Sequence, residues 1–212
     1  AMALSSLDGS NGFRLDGVEE DDFSGASVSN AGDVNGDGFD DVIIGAPARY
    51  GSAASYVVFG KANGFDAAID LSGLDGNNGF RLDGEAAGDR SGFSVSNAGD
   101  VNSDGFDDLI IGAYGADPNG FGSGSSYVVF GKASGFDAAM ALSSLDGSNG
   151  FRLDGVAAFD FSGASVSNAG DVNGDGFDDV IIGARYADRN GEHYGPSYVV
   201  FGEAAPFDAT LD

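Results

Sequence analysis

The chain has 212 residues, 42% of them apolar, with 37 glycines, 4 prolines and no cysteine. That is enough apolar sequence for a folded core, and it excludes a collagen-like or disordered chain, disulfides, thiolate zinc sites and cysteine nucleophiles. The formal net charge of −25, from 34 acidic against 9 basic residues, repels phosphate backbones and anionic membrane surfaces. The charge therefore argues against nucleic acid as a partner and favours divalent cations.

In chain order, the first recognisable segment is Gly-Phe-Arg-Leu-Asp-Gly at 12–17, which returns at 79–84 and 150–155. Its Phe13-Arg14-Leu15 alternates as a half-exposed outer strand does. Next comes Gly25-Ala26-Ser27-Val28-Ser29-Asn30-Ala31, small and polar-alternating, suited to a crowded strand. An acidic loop follows, Asp33-Val34-Asn35-Gly36-Asp37-Gly38-Phe39-Asp40-Asp41, and then Val42-Ile43-Ile44-Gly45-Ala46. Tyr56-Val57-Val58-Phe59 closes the set. The last two segments are apolar on consecutive residues, as strands buried on both faces are. No stretch shows helical periodicity with capping, so helix content should be near nil.

The whole set occurs three times. The Gly-Phe-Arg segments start 67 and then 71 residues apart, and Phe23 to Ala46 is identical letter for letter to Phe161 to Ala184. A repeat of about 70 residues with four antiparallel strands, its inner strands covered on both faces, describes a propeller blade. The expected fold is all-β, a β-propeller with three blades per chain. The expected divisions are 1–17, a strand completing a blade of another copy or chain; 18–84, blade 1; 85–155, blade 2; and 156–212, blade 3, lacking its own fourth strand. Three four-stranded blades do not close around an axis without crowding, whereas propellers carry about four to eight. The expectation is a homodimer in which two chains join head to tail into a six-bladed ring by exchanging strands at their termini.

The acidic loop carries the chemistry. Ca²⁺ takes six to eight hard oxygen ligands. Asp33, Asn35 and Asp37 stand at alternate positions of a tight turn, Gly38 permits the bend, Phe39 can offer its carbonyl, and Asp41 closes the site. By position the set carries to Asp100, Asn102, Asp104, Phe106 and Asp108, and to Asp171, Asn173, Asp175, Phe177 and Asp179, giving three Ca²⁺ per chain. Position 12 is Ile44, inside a strand, which rules out an EF-hand. The alternative is an Asx-rich turn without metal. Asp40, Asp107 and Asp178, one place before the last ligand, should face outward.

With the loop, Gly25-Ala26-Ser27-Val28 and Val42-Ile43-Ile44-Gly45-Ala46-Pro47 resemble the FG-GAP repeats of the integrin α-subunit β-propeller. The likeness recurs in each copy. It departs where Ser24-Gly25 and Ser91-Gly92 stand for Phe-Gly, and where Gly112-Ala113-Tyr114 and Gly183-Ala184-Arg185 lack the proline. The resemblance implies the same calcium ligands, an extracellular or cell-surface setting, and ligand binding at the face opposite the calcium loops. The variable loops on that face hold Arg49, Tyr50, Tyr114, Phe121, Arg185, Tyr186, Arg189, His193 and Tyr194. Tyr and Arg favour interfaces, so a protein or glycan ligand is expected there. His193 is the only histidine and reads as an exposed loop residue, so no catalytic residues are expected. The competing function is a propeller or accessory domain of a polysaccharide-degrading enzyme. Arg14, Arg81 and Arg152, at one strand position, should pair with acids of the same or a neighbouring blade. No run approaches 18 apolar residues, and no signal peptide is visible in this sequence.

Overall fold

In a computed structural model, the structure describes residues 3–48, 51, 53–189 and 192–211, without the side chains of 188, 189, 192 and 193. Its strands are β1 (Arg14–Asp16), β2 (Ser27–Gly32), β3 (Asp41–Ala46), β4 (Ala54–Val58), β5 (Ala68–Asp70), β6 (Gly79–Asp83), β7 (Ser94–Gly99), β8 (Asp108–Ala113), β9 (Ser125–Val129), β10 (Ala139–Ala141), β11 (Gly150–Asp154), β12 (Ser162–Gly170), β13 (Asp179–Ala184), β14 (Asp188–Arg189), β15 (Glu192–His193), β16 (Ser197–Val200) and β17 (Thr210–Leu211). Short 3₁₀ turns at Leu4–Ser6, Leu71–Gly73 and Leu142–Ser144 are the only helical elements among the described residues.

The strands form propeller blades. β2, β3, β4 and β6 lie side by side in antiparallel order, as do β7, β8, β9 and β11. The third blade holds β12, β13 and β16. Alternation sends neighbouring residues of one strand to opposite blade faces. Ile110 packs toward the third blade and Ile111 toward the first, so both faces of β8 are buried and the strand reads as a continuous apolar run.

One feature departs from the sequence expectation of four strands. A fifth, three-residue strand adds in parallel to an outer strand: β5 to β1, and β10 to β6. β17 adds to β11 in the same way. Ala68-Ile69-Asp70 and Ala139-Met140-Ala141 are too short to show a period, so only the pairing defines them. A phenylalanine stack ties each fifth strand to its blade. Phe13–Phe65, Phe80–Phe136 and Phe151–Phe207 lie 4.1, 4.2 and 4.4 Å apart between ring centres.

Adjacent blades meet glycine on glycine. A Cβ on Gly45 would lie 1.9 Å from the Gly92 carbonyl oxygen, and one on Gly112 would lie 2.0 Å from that of Gly163. The Gly-Ala of one blade and the Ser-Gly of the next thus form one joint, and only glycine allows backbones this close. Glycine stands at both places in all three copies, and of the residues directly beside it only Phe93, against Ala26 and Ala164, differs.

Candidate metal loops and the opposite end

Each acidic loop joins the first strand of its blade to the second, and each is folded around its first aspartate. Asp33 Oδ1 accepts the N–H groups of Gly36 and Asp37 at 2.8 and 3.1 Å, and Oδ2 accepts that of Gly38 at 2.9 Å. Gly38 has φ +87, a conformation that disfavours a side chain. Asn35 Oδ1 accepts the Asp37 N–H at 2.8 Å, and Asp37 Oδ1 accepts the Phe39 N–H at 2.9 Å. The third copy repeats the Asp171 contacts at 2.6, 3.1 and 3.0 Å. In the second copy Asp100 holds Asp104 and Gly105. The amide and carboxylate of positions three and five touch in all copies, Asn35–Asp37 at 3.3 Å, Asn102–Asp104 at 3.0 Å and Asn173–Asp175 at 2.7 Å.

The ninth residue is the deepest. Asp41, Asp108 and Asp179 are 1%, 0% and 0% exposed. Each carboxylate accepts one N–H from the second loop position and one from the glycine ending the Tyr-Val-Val-Phe-Gly segment. For Asp108 these are Val101 at 3.0 Å and Gly131 at 2.9 Å; for Asp41 they are Val34 at 3.1 Å and Gly60 at 2.8 Å; for Asp179 they are Val172 at 2.8 Å and Gly202 at 3.0 Å. Burial raises Asp108 to about 8 and Asp41 to about 7. The two N–H groups oppose the rise, and the neighbouring loop carboxylates add to it.

Phe39, Phe106 and Phe177 sit at position seven with their carbonyls in the loop backbone. Among the described residues no three acidic, histidine or cysteine side chains are already gathered as a metal cage. The oxygens are arranged instead as a self-bonded Asx turn. Each carboxylate oxygen that accepts one N–H keeps a second acceptor site. Among the described residues, the ion pairs are those of the outer-strand arginines Arg14, Arg81 and Arg152, and none reaches a loop carboxylate.

The aspartates one place earlier do not all face outward, contrary to the sequence expectation. Asp107 Oδ2 accepts the Asp33 N–H of the preceding blade at 2.8 Å, and Asp178 Oδ2 accepts the Asp100 N–H at 3.1 Å. Their own N–H groups bond back to the Asp33 and Asp100 carbonyls at 3.3 and 3.2 Å. They are latches between loops of successive blades. Sequence periodicity along one loop carries no sign of a partner 74 residues away. The arginines do pair as expected: Arg14 with Asp16 and Arg81 with Asp83, each at 2.6 Å, and Arg152 with Asp154 at 2.9 Å and Glu85 at 3.3 Å.

The opposite end, where second strands turn into third, carries aromatic rings. Phe93, Tyr114, Phe161 and Tyr186 run in series with centres 4.5, 5.9 and 5.6 Å apart, and the Arg185 guanidinium lies 5.5 Å from Tyr114 and 5.1 Å from Tyr186. Phe121 meets Phe159 at 5.5 Å, and the two are 67% and 56% exposed. Tyr194 is also exposed. Sequence reading found the tyrosines, Phe121 and Arg185 but missed Phe93, Phe159 and Phe161, which lie in the connections that lead into the first strands of blades 2 and 3. Arg49, Tyr50 and the side chains of Arg189 and His193 lie outside the described residues.

Stacked antiparallel blades, two completed by a fourth strand and one of three strands, each with its acidic loop at one end, define propeller-type repeats. A sequence profile of the FG-GAP repeat matches residues 24–58, 91–129 and 162–200, and the chain belongs to this family. It is 31% identical over 83% of its length to integrin alpha-4 of Xenopus laevis, and 32% identical over 79% to integrin alpha-PS5 of Drosophila melanogaster. It is 30% identical over 85% of its length to integrin alpha pat-2 of Caenorhabditis elegans. The chain spans 16%, 15% and 14% of the length of these relatives. Among the described residues no helix is long and apolar enough to cross a membrane.

Proposed function

We propose that this chain is a calcium-stapled propeller module, non-catalytic, that presents its aromatic end to a protein or glycan ligand at a cell surface or outside the cell. The supporting observation is the threefold recurrence of one loop in which three carboxylates at ligand positions and an amide oxygen crowd a nine-residue turn, with no basic partner among the described residues. Hard oxygen donors in that number suit Ca²⁺; Mg²⁺ demands stricter octahedral geometry and keeps more water. Asp33, Asn35, Asp37, Asp41 and the Phe39 carbonyl would hold the ion in the first loop. The equivalent residues would hold it in the others. Bound calcium supplies the positive charge that the loop lacks.

The chain's own groups do the rest. Asp33 gathers the loop amides, and Asp41 fixes the loop to the end of β4. The loop thereby links the first, second and third strands of a blade, a staple in a chain without disulfides. The integrin names of the relatives and the Tyr-, Phe- and Arg-bearing opposite end support a recognition role, since these side chains are enriched in binding hot spots. Calorimetric titration of chelator-treated protein with CaCl₂ should show three equivalents of Ca²⁺ per chain, and one fewer in Asp175→Ala. Absence of calcium binding at millimolar concentration would sink the metal reading.

A further inference from the structure

Three backbone and side-chain contacts of the joint between blades 1 and 2 recur between blades 2 and 3. Val95 N–H donates to Ser27 Oγ at 3.0 Å, and Val166 N–H to Ser94 Oγ at 3.1 Å. Lys132 N–H donates to the Val34 carbonyl at 2.9 Å, and Glu203 N–H to that of Val101 at 3.1 Å. Asp107 and Asp178 latch onto Asp33 and Asp100. Val34 and Val101 are 0% and 2% exposed beneath these contacts.

A third set of the same groups is present and unused, split between the two ends of the chain. Blade 1 carries the half made of Val28, Asp40 and Lys61, with Val28 67% exposed against 5% and 6% for Val95 and Val166. Blade 3 carries the half made of Ser165, Asp171 and Val172, with Val172 57% exposed. The glycine joint is split likewise. A Cβ on Gly25 would meet nothing within 4 Å, and one on Gly183 would meet only Ser165 of its own blade, at 3.6 Å.

Two apolar hollows complete the match. One, of about 270 Å³, lies on blade 1 between Phe13, Val42, Val58 and Phe65. The corresponding residues of blade 2 are Phe80, Leu109, Val129 and Phe136, and they enclose Val34. The hollow is thus shaped for a second copy's Val172. The other, of about 290 Å³, lies at blade 3 between Leu153, Ile182, Tyr198, Val200 and Leu211. Its counterpart between blades 1 and 2 holds Leu142, which is 1% exposed, whereas Leu4 at the same repeat position is 86% exposed. Leu4 of a second copy fits there. β1 then falls beside β16 as β6 lies beside β4 and β11 beside β9, which would place Arg14 opposite Tyr198 as Arg81 is opposite Tyr56.

We propose that the exposed faces of blades 1 and 3 bind a second copy of this chain head to tail, with β1 of each copy supplying the fourth strand of the other's third blade. Propellers carry about four to eight blades, and six is the only multiple of three in that range, so two copies close the ring. A heterologous contact that closes in this way stops at two copies and does not grow into a filament.

Light scattering on the eluting protein should give twice the 21.3 kDa chain mass at micromolar concentration. Gly183→Val, into space that is open within the chain, and Val28→Arg, at an exposed site, should each reduce the mass to one chain while leaving the β circular dichroism unchanged. Mixing the two variants should restore a two-chain species, because each keeps the half that the other has lost. One-chain mass for the unaltered protein overturns the proposal and leaves these faces to blades of another chain. So does a mass above two chains, or two-chain mass in both single variants. Failure of the mixture to pair overturns the head-to-tail arrangement.

Discussion

Val95 and Val28 occupy the same place in two copies of one repeat, within the identical tripeptide Ser-Val-Ser. Val95 is 5% exposed and Val28 67%. The same contrast runs through the molecule. Phe130, on the middle blade, is 5% exposed and Phe201, on the third, 56%; Val128 is 0% and Val199 45%. The middle blade has a neighbour on each face, and the flanking blades have one apiece. Apart from the cluster of Ile44, Tyr56, Val58, Leu71 and Leu74 that blade 1 buries beside Leu15 of β1 and Ile69 of β5, the blades share their cores with their neighbours. The apolar faces of a blade are half-interfaces, and whether a residue is structural depends on what stands beside it.

The largest expected effect tests that contrast directly. Ile110 is fully buried between blades 2 and 3, and Ile181 holds the same position on the open face of blade 3. Ile110→Ala should cost about 2–5 kcal/mol in urea unfolding. Ile181→Ala should cost less than half as much in the Gly183→Val background, where the face stays open, and should rise to match in the two-chain ring. Equal costs in both backgrounds would break the comparison.

Calcium removal comes next. A ligand that binds only the folded state stabilises it by about 2.7 kcal/mol at 100 times Kd and about 4.1 kcal/mol at 1,000 times. EGTA should lower the melting temperature accordingly, and the loops should loosen before the blade joints do.

The pH response of the chelated protein is smaller and has a definite sign. Folded Asp108 keeps its proton up to about pH 8 and Asp41 up to about pH 7, while the unfolded chain releases both near the ordinary value of 3.8. Between these limits the folded state binds more protons. Its stability is full below the ordinary value and declines as pH rises through 7 to 8. Melts in EGTA should therefore fall from about pH 5 to about pH 8.5. Calcium, which binds the deprotonated carboxylates, should flatten or reverse the trend. A flat profile in EGTA would show that the buried carboxylates are charged throughout.

The smallest effect separates two identical ion pairs. Arg14 is 68% exposed with its partner Asp16, whereas Arg152 is 28% exposed and also reaches Glu85. Arg14→Ala should leave the melting temperature of the isolated chain unchanged, and Arg152→Ala should lower it measurably, because exposed pairs are screened by water.

Much of this was legible before the structure. Tyr56-Val57-Val58-Phe59 announces a strand buried on both sides, and the Asp-x-Asn-x-Asp-Gly spacing announces an oxygen-rich turn. Both signals are local: each residue's role depends on neighbours a few positions away. The fifth strands, the Asp107 and Asp178 latches and the Phe93–Tyr114–Phe161–Tyr186 series were not legible. Each joins segments from different connections or blades, and nothing in either segment alone names the other.

The sequence by itself determined that there are three copies of one four-stranded unit, where its strands and acidic loops fall, and that glycine recurs at two fixed places. Only the tertiary structure decided that those glycines form the joint between blades, and which of two identical valines is core and which is surface. It also decided that Asp107 is a latch while Asp40, in an identical Phe-Asp-Asp run, stays exposed. The physical reason is that burial and hydrogen bonding between blades are properties of pairs of faces. Identical sequences have identical local preferences, and they differ here because one face is covered and the other is not.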